Sequence, residues 1–239
     1  MLAKPFRDFV VTEATAASGF RLSPEQERVV RHRGGHLQVV ACAGSGKTEA
    51  ISRRISSLVV EGVEPHEIVA FTFTERAAKS LKTRIAKRIV EAKGEKYLGR
   101  TGGMYVGTIH SFCLRLLQDN VPRYGNFDVL DENRLGGLLS REHRRLDLAS
   151  LGTKHWRPIL DFIKNSDVVD NELIDSKALE GTAFGTAYLR YKETLNRYHF
   201  LTFGMLVSEA VLALEDLFVA KKVRQNLKHL VVDEYQDVN

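Results

Sequence analysis

A parallel α/β sheet with helices on both faces, interrupted by a helical insertion subdomain, is the fold the sequence predicts. Short apolar runs at 37–40, 68–72 and 105–108 are each followed by a helix-period pattern, the strand-then-helix rhythm of a parallel sheet. From 131 to 200 that rhythm stops and only helical spacing remains, with Phe184, Ala187, Tyr188, Tyr191 and Leu195 on one stripe. An apolar strand pattern then returns at 227–232 and runs straight into Asp233-Glu234-Tyr235-Gln236-Asp237.

Composition narrows the class. With 239 residues, 44% hydrophobic and 27% charged, the chain can bury a full core. Lys and Arg number 35 against 30 Asp and Glu, a net charge of +5 that permits an anionic partner without requiring one. Two cysteines, Cys42 and Cys113, are too few for a disulfide framework or a four-cysteine metal site. The N-terminus has no secretory pattern, and no run approaches the ~20 apolar residues that a membrane span needs. The expected setting is reducing and intracellular, with no membrane partner.

Residues 1–21 form an N-terminal extension of unknown role. Leu22-Ser23-Pro24-Glu25-Gln26 reads as a helix start, with Ser23 as cap, Pro24 at the first helical position and Gln26 three residues after the cap. Gln26 therefore has two readings, a capping-box partner or an amide that reads an adenine edge. Next, Val39 to Ala50 reads as a phosphate-binding loop. Its cradle is Ala41, Cys42, Ala43, Gly44, Ser45, Gly46, Lys47 and Thr48. Gly44 and Gly46 let backbone N–H groups crowd phosphate oxygens at a helix N-terminus. Lys47 would reach the terminal phosphates of ATP, and the Thr48 hydroxyl would ligate magnesium. The first position of the usual pattern holds Ala41 instead of glycine.

A helix follows with Ile51, Ile55, Leu58 and Val59 on one face and ends at Glu61-Gly62. After the strand at 68–72 comes a long amphipathic helix from about Glu75 to Ala92, whose outer face carries Lys79, Lys82, Arg84, Lys87 and Arg88. Residues 93–103 read as a loop. Basic residues recur in the insertion at Arg141, Arg144, Arg145, Lys154 and Arg157, with Trp156 among them. A single helix from about Phe203 to Val219 precedes the last strand. Carboxylates at the C-terminal end of that strand stand where parallel sheets bind ligands. Asp233 can hold magnesium there, and Glu234 can serve as general base toward the attacking water.

Together these stretches resemble the UvrD/Rep family of superfamily 1 DNA helicases. The similarity lies in Leu22-Ser-Pro-Glu-Gln26, Ala41-Cys-Ala-Gly-Ser-Gly-Lys-Thr48, Phe71-Thr-Phe-Thr-Glu-Arg-Ala-Ala78, Val106-Gly-Thr-Ile-His-Ser-Phe-Cys113 and Val231-Val-Asp-Glu-Tyr-Gln-Asp237. That family also has Ala at the first loop position, whereas Cys42 replaces a common glycine and Glu75-Arg76 stands for a frequent Asn-Lys pair. Leu201-Thr-Phe-Gly-Met-Leu206 lacks the acidic residues often seen around its phenylalanine.

The resemblance implies a RecA-like P-loop NTPase domain, with ATP and Mg2+ as cofactors and single-stranded DNA as partner. Its first part is 22–130, the insertion 131–200 and the return segment 201–239. Gln26 would contact adenine, Gln236 would sense the γ-phosphate, and Phe73, Thr74, Thr108 and His110 would line the single-strand path. Two bland alternatives stand beside this: Phe73 as core and His110 as a helix cap. The chain stops before the second RecA-like domain of a family motor, so 3′ to 5′ translocation is expected only of a longer protein, with weak or no hydrolysis by this piece. The cytoplasm, in association with the nucleoid, is the implied location. Rival readings are a truncated non-motor module that binds ATP or DNA, and a small P-loop kinase.

Overall fold

The computed structural model describes residues 21–151 and 157–237; the extension before residue 21, and Lys154 and Trp156, lie outside the described residues. In chain order the elements are α1 (Pro24–Arg31), α2 (Lys47–Val60), β1 (Ile68–Phe71), α3 (Glu75–Lys93), β2 (Tyr105–Gly107), α4 (Ile109–Asn120) and β3 (Asp128–Val129). Then come α5 (Glu132–Glu142), α6 (Arg157–Asn171), α7 (Ala183–Arg197), β4 (Phe200–Leu201), α8 (Phe203–Glu215), α9 (Leu217–Asn226) and β5 (His229–Val232). They form two compact units, one of 21–107 with 226–237 and one of Thr108–Gln225.

The first unit is the open α/β sheet that the strand-then-helix rhythm predicts. All three strands are parallel in the order β2-β1-β5, with Ala70 opposite both Val106 and Val231. β1 is central and bounded by buried Ile68, Val69 and Ala70, as a strand covered on both faces requires. Ile55 and Leu58 of α2 and Leu81, Ile85 and Ile89 of α3 pack with it in one core. The 3.6-residue spacing of the α3 set is what turns 19 residues into one helix with a single buried stripe.

Three expectations need correction here. The run 37–40 is not a buried strand: it is unpaired, and Leu37, Val39 and Val40 are exposed, Val40 to 91%. A strand exists only through a neighbour's ladder, and among the described residues none pairs with this run. Residues 93–103 are not a plain loop, since Glu95–Gly103 winds into 3-10 turns after the α3 C-cap at Gly94, whose φ is 84°. The helix expected over 203–219 is broken at Asp216, whose carboxylate accepts from the N–H groups of Phe218 and Val219 at 2.8 and 3.2 Å and so starts α9 afresh.

The second unit is helical apart from the two-residue parallel pair of β3 and β4. Its core joins Leu116 and Leu117 of α4, Leu138 and Leu139 of α5, Phe162 of α6, Leu206 of α8, and Ala187, Tyr188, Tyr191 and Leu195 of α7. The stripe read from the α7 sequence is thus the buried one. The unit is wider than the 131–200 insertion because α4 and α8 bury their apolar faces in this same core.

Asp170 is a buried carboxylate inside it. It is 3% exposed. Its Oδ1 accepts from the Tyr188 hydroxyl at 2.6 Å, Lys192 Nζ lies 3.8 Å away, and Oδ2 has no hydrogen-bond partner. Burial raises its pKa above the ordinary 3.8, against the opposing pull of Tyr188 and Lys192. The folded state then holds the proton more tightly than the unfolded state does. Its contribution to stability is greatest at low pH and falls as pH climbs from the ordinary carboxylate range through the folded value. Asp167 shifts the same way, through burial and the nearby charge of Glu132. Asp170→Asn, which keeps the acceptor for Tyr188, is expected to flatten this part of the stability profile and to raise the midpoint at neutral pH. Urea denaturation between about pH 4 and pH 8 reads both. An unchanged slope with a lower midpoint refutes the assignment.

Candidate functional site

The glycine-rich turn sits between the exposed run 37–40 and α2. Gly44 and Gly46 have φ of 77° and 82°, a left-handed conformation that costs an L side chain about 1–2 kcal/mol, so the turn needs glycine there. Gly46 is the N-cap of α2 and makes no side-chain cap bond, which leaves the first N–H groups of that helix without an intrahelical partner. Residues 39–45 are exposed. Lys47 Nζ folds back onto the carbonyls of Ala41 at 3.2 Å and Cys42 at 3.4 Å, so the ammonium hangs over the turn. An open bowl of N–H groups with a lysine above it can hold an anion of phosphate geometry.

Gln26 does two things. It completes the capping box of α1, receiving the Ser23 N–H on Oε1 at 2.9 Å, and its Nε2 donates to the Ser45 carbonyl at 2.8 Å. The first helix is thereby tied to the loop. A carboxamide has two donor hydrogens and two acceptor lone pairs, so one of each remains for a ligand.

Across the sheet unit, Asp233 follows β5 directly, and its N–H donates to Phe71 O at 2.9 Å, which extends the ladder by one residue. Its Oδ2 accepts from the Thr48 hydroxyl at 3.5 Å, joining residues 185 apart. Burial and the neighbouring Glu234 raise the Asp233 pKa, opposed by its hydrogen bonds and by Lys47. A buried carboxylate beside a second one is electrostatically complementary to a cation. Hydroxyl plus carboxylate is an all-oxygen pair that suits magnesium, which ordinarily takes one or two carboxylates together with water and phosphate. Among the described residues no three His, Cys, Asp or Glu side chains gather into a metal cage.

Glu234 has φ 54°, rare for a residue with a Cβ and common where a backbone is held for function. Gln236 Nε2 donates to its Oε2 at 2.6 Å, fixing the carboxylate's direction. Lys47, Thr48, Asp233, Glu234, Gln236 and Gln26 are therefore brought onto one rim of the sheet unit.

The other candidates divide between the two units. Phe73 is 66% exposed, which removes the reading of it as core. Thr74 is the N-cap of α3, its Oγ1 accepting from Ala77 N at 3.1 Å. In the helical unit Thr108 caps α4, accepting from Ser111 N at 3.2 Å and donating to Ser111 Oγ at 2.9 Å. The cap of α4 is Thr108 and not His110, and both threonine caps went unread in the sequence although each precedes a helical pattern. His110 stands edge-on to Phe203, ring centroids 5.1 Å apart, beside a cavity of about 140 Å³, and burial lowers its pKa.

A sequence model of the UvrD/REP helicase N-terminal domain matches residues 22–239. The chain belongs to that family. Among UvrD/REP relatives, it is 35% identical over 236 residues to the ATP-dependent DNA helicase UvrD1 of Mycobacterium tuberculosis and 32% identical to that of Mycobacterium leprae. It is 30% identical over 230 residues to the ATP-dependent DNA helicase PcrA of Staphylococcus epidermidis. Each match covers 91% of this chain but only 29–30% of the relative. Among the described residues no helix is long and apolar enough to cross a membrane.

Proposed function

We propose that this chain is the N-terminal ATP-binding portion of a UvrD-like DNA helicase, with a RecA-like domain carrying an inserted helical unit. The observation that carries this reading is the approach of Thr48 to Asp233 at 3.5 Å beside the lysine-capped loop, because a phosphate loop and a carboxylate from a second strand define a nucleoside triphosphate site. In this reading residues 41–48 hold the phosphates, with Lys47 on the terminal pair and Gln26 turned to the adenine edge. Thr48 and Asp233 would hold magnesium, which screens the charge on the phosphates when bound. Glu234, directed by Gln236, takes the proton of the attacking water. The water oxygen bonds to the γ-phosphorus, the bond to the ADP oxygen breaks, and ADP leaves with its negative charge. Gln236 is the group that senses the γ-phosphate.

Single-stranded DNA is the proposed second ligand. Phe73 offers a solvent-facing ring for a base to stack on, and Thr74, Thr108 and His110 offer polar contacts to the strand. Coupling of hydrolysis to 3′ to 5′ movement belongs to the longer protein, where a second RecA-like domain supplies arginines to the γ-phosphate, and hydrolysis by this portion alone is weak. The setting is intracellular, on the nucleoid.

Titration with a fluorescent ATP analogue tests the nucleotide site. Saturable binding that weakens when EDTA removes magnesium is expected, and no saturable binding sinks the proposal. For the strand, Phe73→Ala is expected to weaken oligo-dT binding by roughly 10-fold, from a stacking loss of about 1–3 kcal/mol, while the salt dependence of binding stays unchanged. Fluorescence anisotropy at two salt concentrations reads both, and an isotherm identical to that of the wild type removes Phe73 from the path.

A further inference from the structure

Glu49 follows Thr48 in the first turn of α2 and has no part in the nucleotide chemistry above. Its side chain is 15% exposed and closes on three guanidiniums. Arg53 Nε donates to Oε1 at 2.7 Å, Arg88 Nη2 donates to the same oxygen, and Arg84 Nη1 stands 3.9 Å from Oε2. Arg53 belongs to α2 itself, one turn on, and fixes the direction of the carboxylate. Arg84 and Arg88 belong to α3, one turn apart. The outer face of α3 is otherwise solvated at Lys79, Lys82 and Lys87, while the Arg88 side chain is turned inward and only 20% exposed.

The cluster is unlike the exposed pairs elsewhere in this unit, such as Arg28 with Glu25 at 3.9 Å and 79% and 70% exposure, which contribute little. Apolar packing already holds α2 to α3 through Ile55, Leu58, Leu81 and Ile85. A shielded ionic cluster over such a core adds little net stability, since desolvation offsets much of the attraction, but it fixes the position of one helix on the other. What it fixes matters here. α2 begins with Lys47 and Thr48, and α3 begins at its cap, Thr74, next to exposed Phe73. By the rise of an α-helix, Arg84 and Arg88 lie about 15 and 21 Å from that cap along one unbroken helix.

We infer that Glu49 is a positioning residue that locks the phosphate-loop helix to the helix beginning at Thr74, so that occupation of the nucleotide loop and of the strand surface at Phe73 and Thr74 is energetically coupled. This rests on the proposed function. A small displacement of Lys47 and Thr48 on binding phosphate is carried by Glu49 to Arg84 and Arg88, and the rigid α3 delivers it to its own N-terminus. Coupling between two ligands is reciprocal, so it can be read from either one.

The test measures the affinity of the chain for a fluorescent ATP analogue with magnesium, alone and with saturating oligo-dT. The wild type is expected to show a ratio of about 5-fold or more between the two. Glu49→Gln and, from the α3 side, Arg88→Gln are expected to bring that ratio close to 1 while each ligand alone binds within about 3-fold of wild type. A wild-type ratio retained in Glu49→Gln overturns the inference, as does a wild type that binds both ligands with a ratio of 1. Arg88→Gln carries the same test where Glu49→Gln fails to fold. A wild type that binds neither ligand removes the functional reading first and this inference with it.

Discussion

Lys47→Ala is expected to lower the affinity for magnesium-ATP about 10- to 100-fold without unfolding the sheet unit. An ammonium has three donors and no acceptor. It rests on two neutral carbonyls, Ala41 O and Cys42 O, at 3.2 and 3.4 Å. Both distances are long for hydrogen bonds of a charged donor, so little is lost when phosphate oxygens take their place. A hydrogen bond to a charged partner contributes about 1.5–3 kcal/mol, which sets the range of the fold-change. The fold survives because Lys47 is half-buried at the first position of α2, where alanine is a good helix former and the buried faces at Ile55 and Leu58 are untouched. Titration of wild type and variant with the same analogue, together with matched melting curves, reads the result. Equal affinities would falsify the phosphate-loop assignment.

What the sequence made legible follows the range of each interaction. The capping box of α1 lies within four residues, Ser23 to Gln26, and the structure closes it with both bonds. α3 and α7 were legible because periodicity over 19 and 15 residues needs no knowledge of the partner. The candidate rim was legible for a different reason: glycines at positive φ and carboxylates after a strand are local patterns, although Thr48 and Asp233 meet only in three dimensions. The run 37–40 misled because Leu37 and Val40 have strand composition, yet a strand is a property of two chains of backbone and not of one. Asp216 split a helix that hydrophobic spacing alone would continue, because a carboxylate that caps the next helix competes with the preceding one. The tie of Glu49 to Arg88 joins residues 39 apart on two helices, and no periodicity announces it. The i,i+4 spacing of Glu49 and Arg53 was its one readable trace.

Tyr191→Ala is expected to destabilise the helical unit by about 3–5 kcal/mol, the range for emptying a large aromatic site in a core. Tyr191 is 1% exposed. Its ring meets Phe162 of α6 edge-to-face at 5.3 Å and lies 6.1 Å from Tyr188 on its own helix, and with Phe162–Phe184 at 5.5 Å it makes one of two aromatic contacts between α6 and α7. Such pairs add about 0.5–1.5 kcal/mol beyond the area they bury, and the rings around the site are too rigid to refill it. Burial raises the pKa of its hydroxyl, opposed by the nearby Thr202, itself buried at the N-cap of α8. Tyr191→Phe separates the ring from its hydroxyl: it keeps the ring contacts and is expected to cost only about 1 kcal/mol. Urea denaturation of the three proteins at one pH gives the ranking, wild type above Tyr191→Phe above Tyr191→Ala. A loss under about 1 kcal/mol for the alanine variant would mean that the α7 stripe does not organise this core, and that α4 and α8 hold the unit through Leu117 and Leu206 instead.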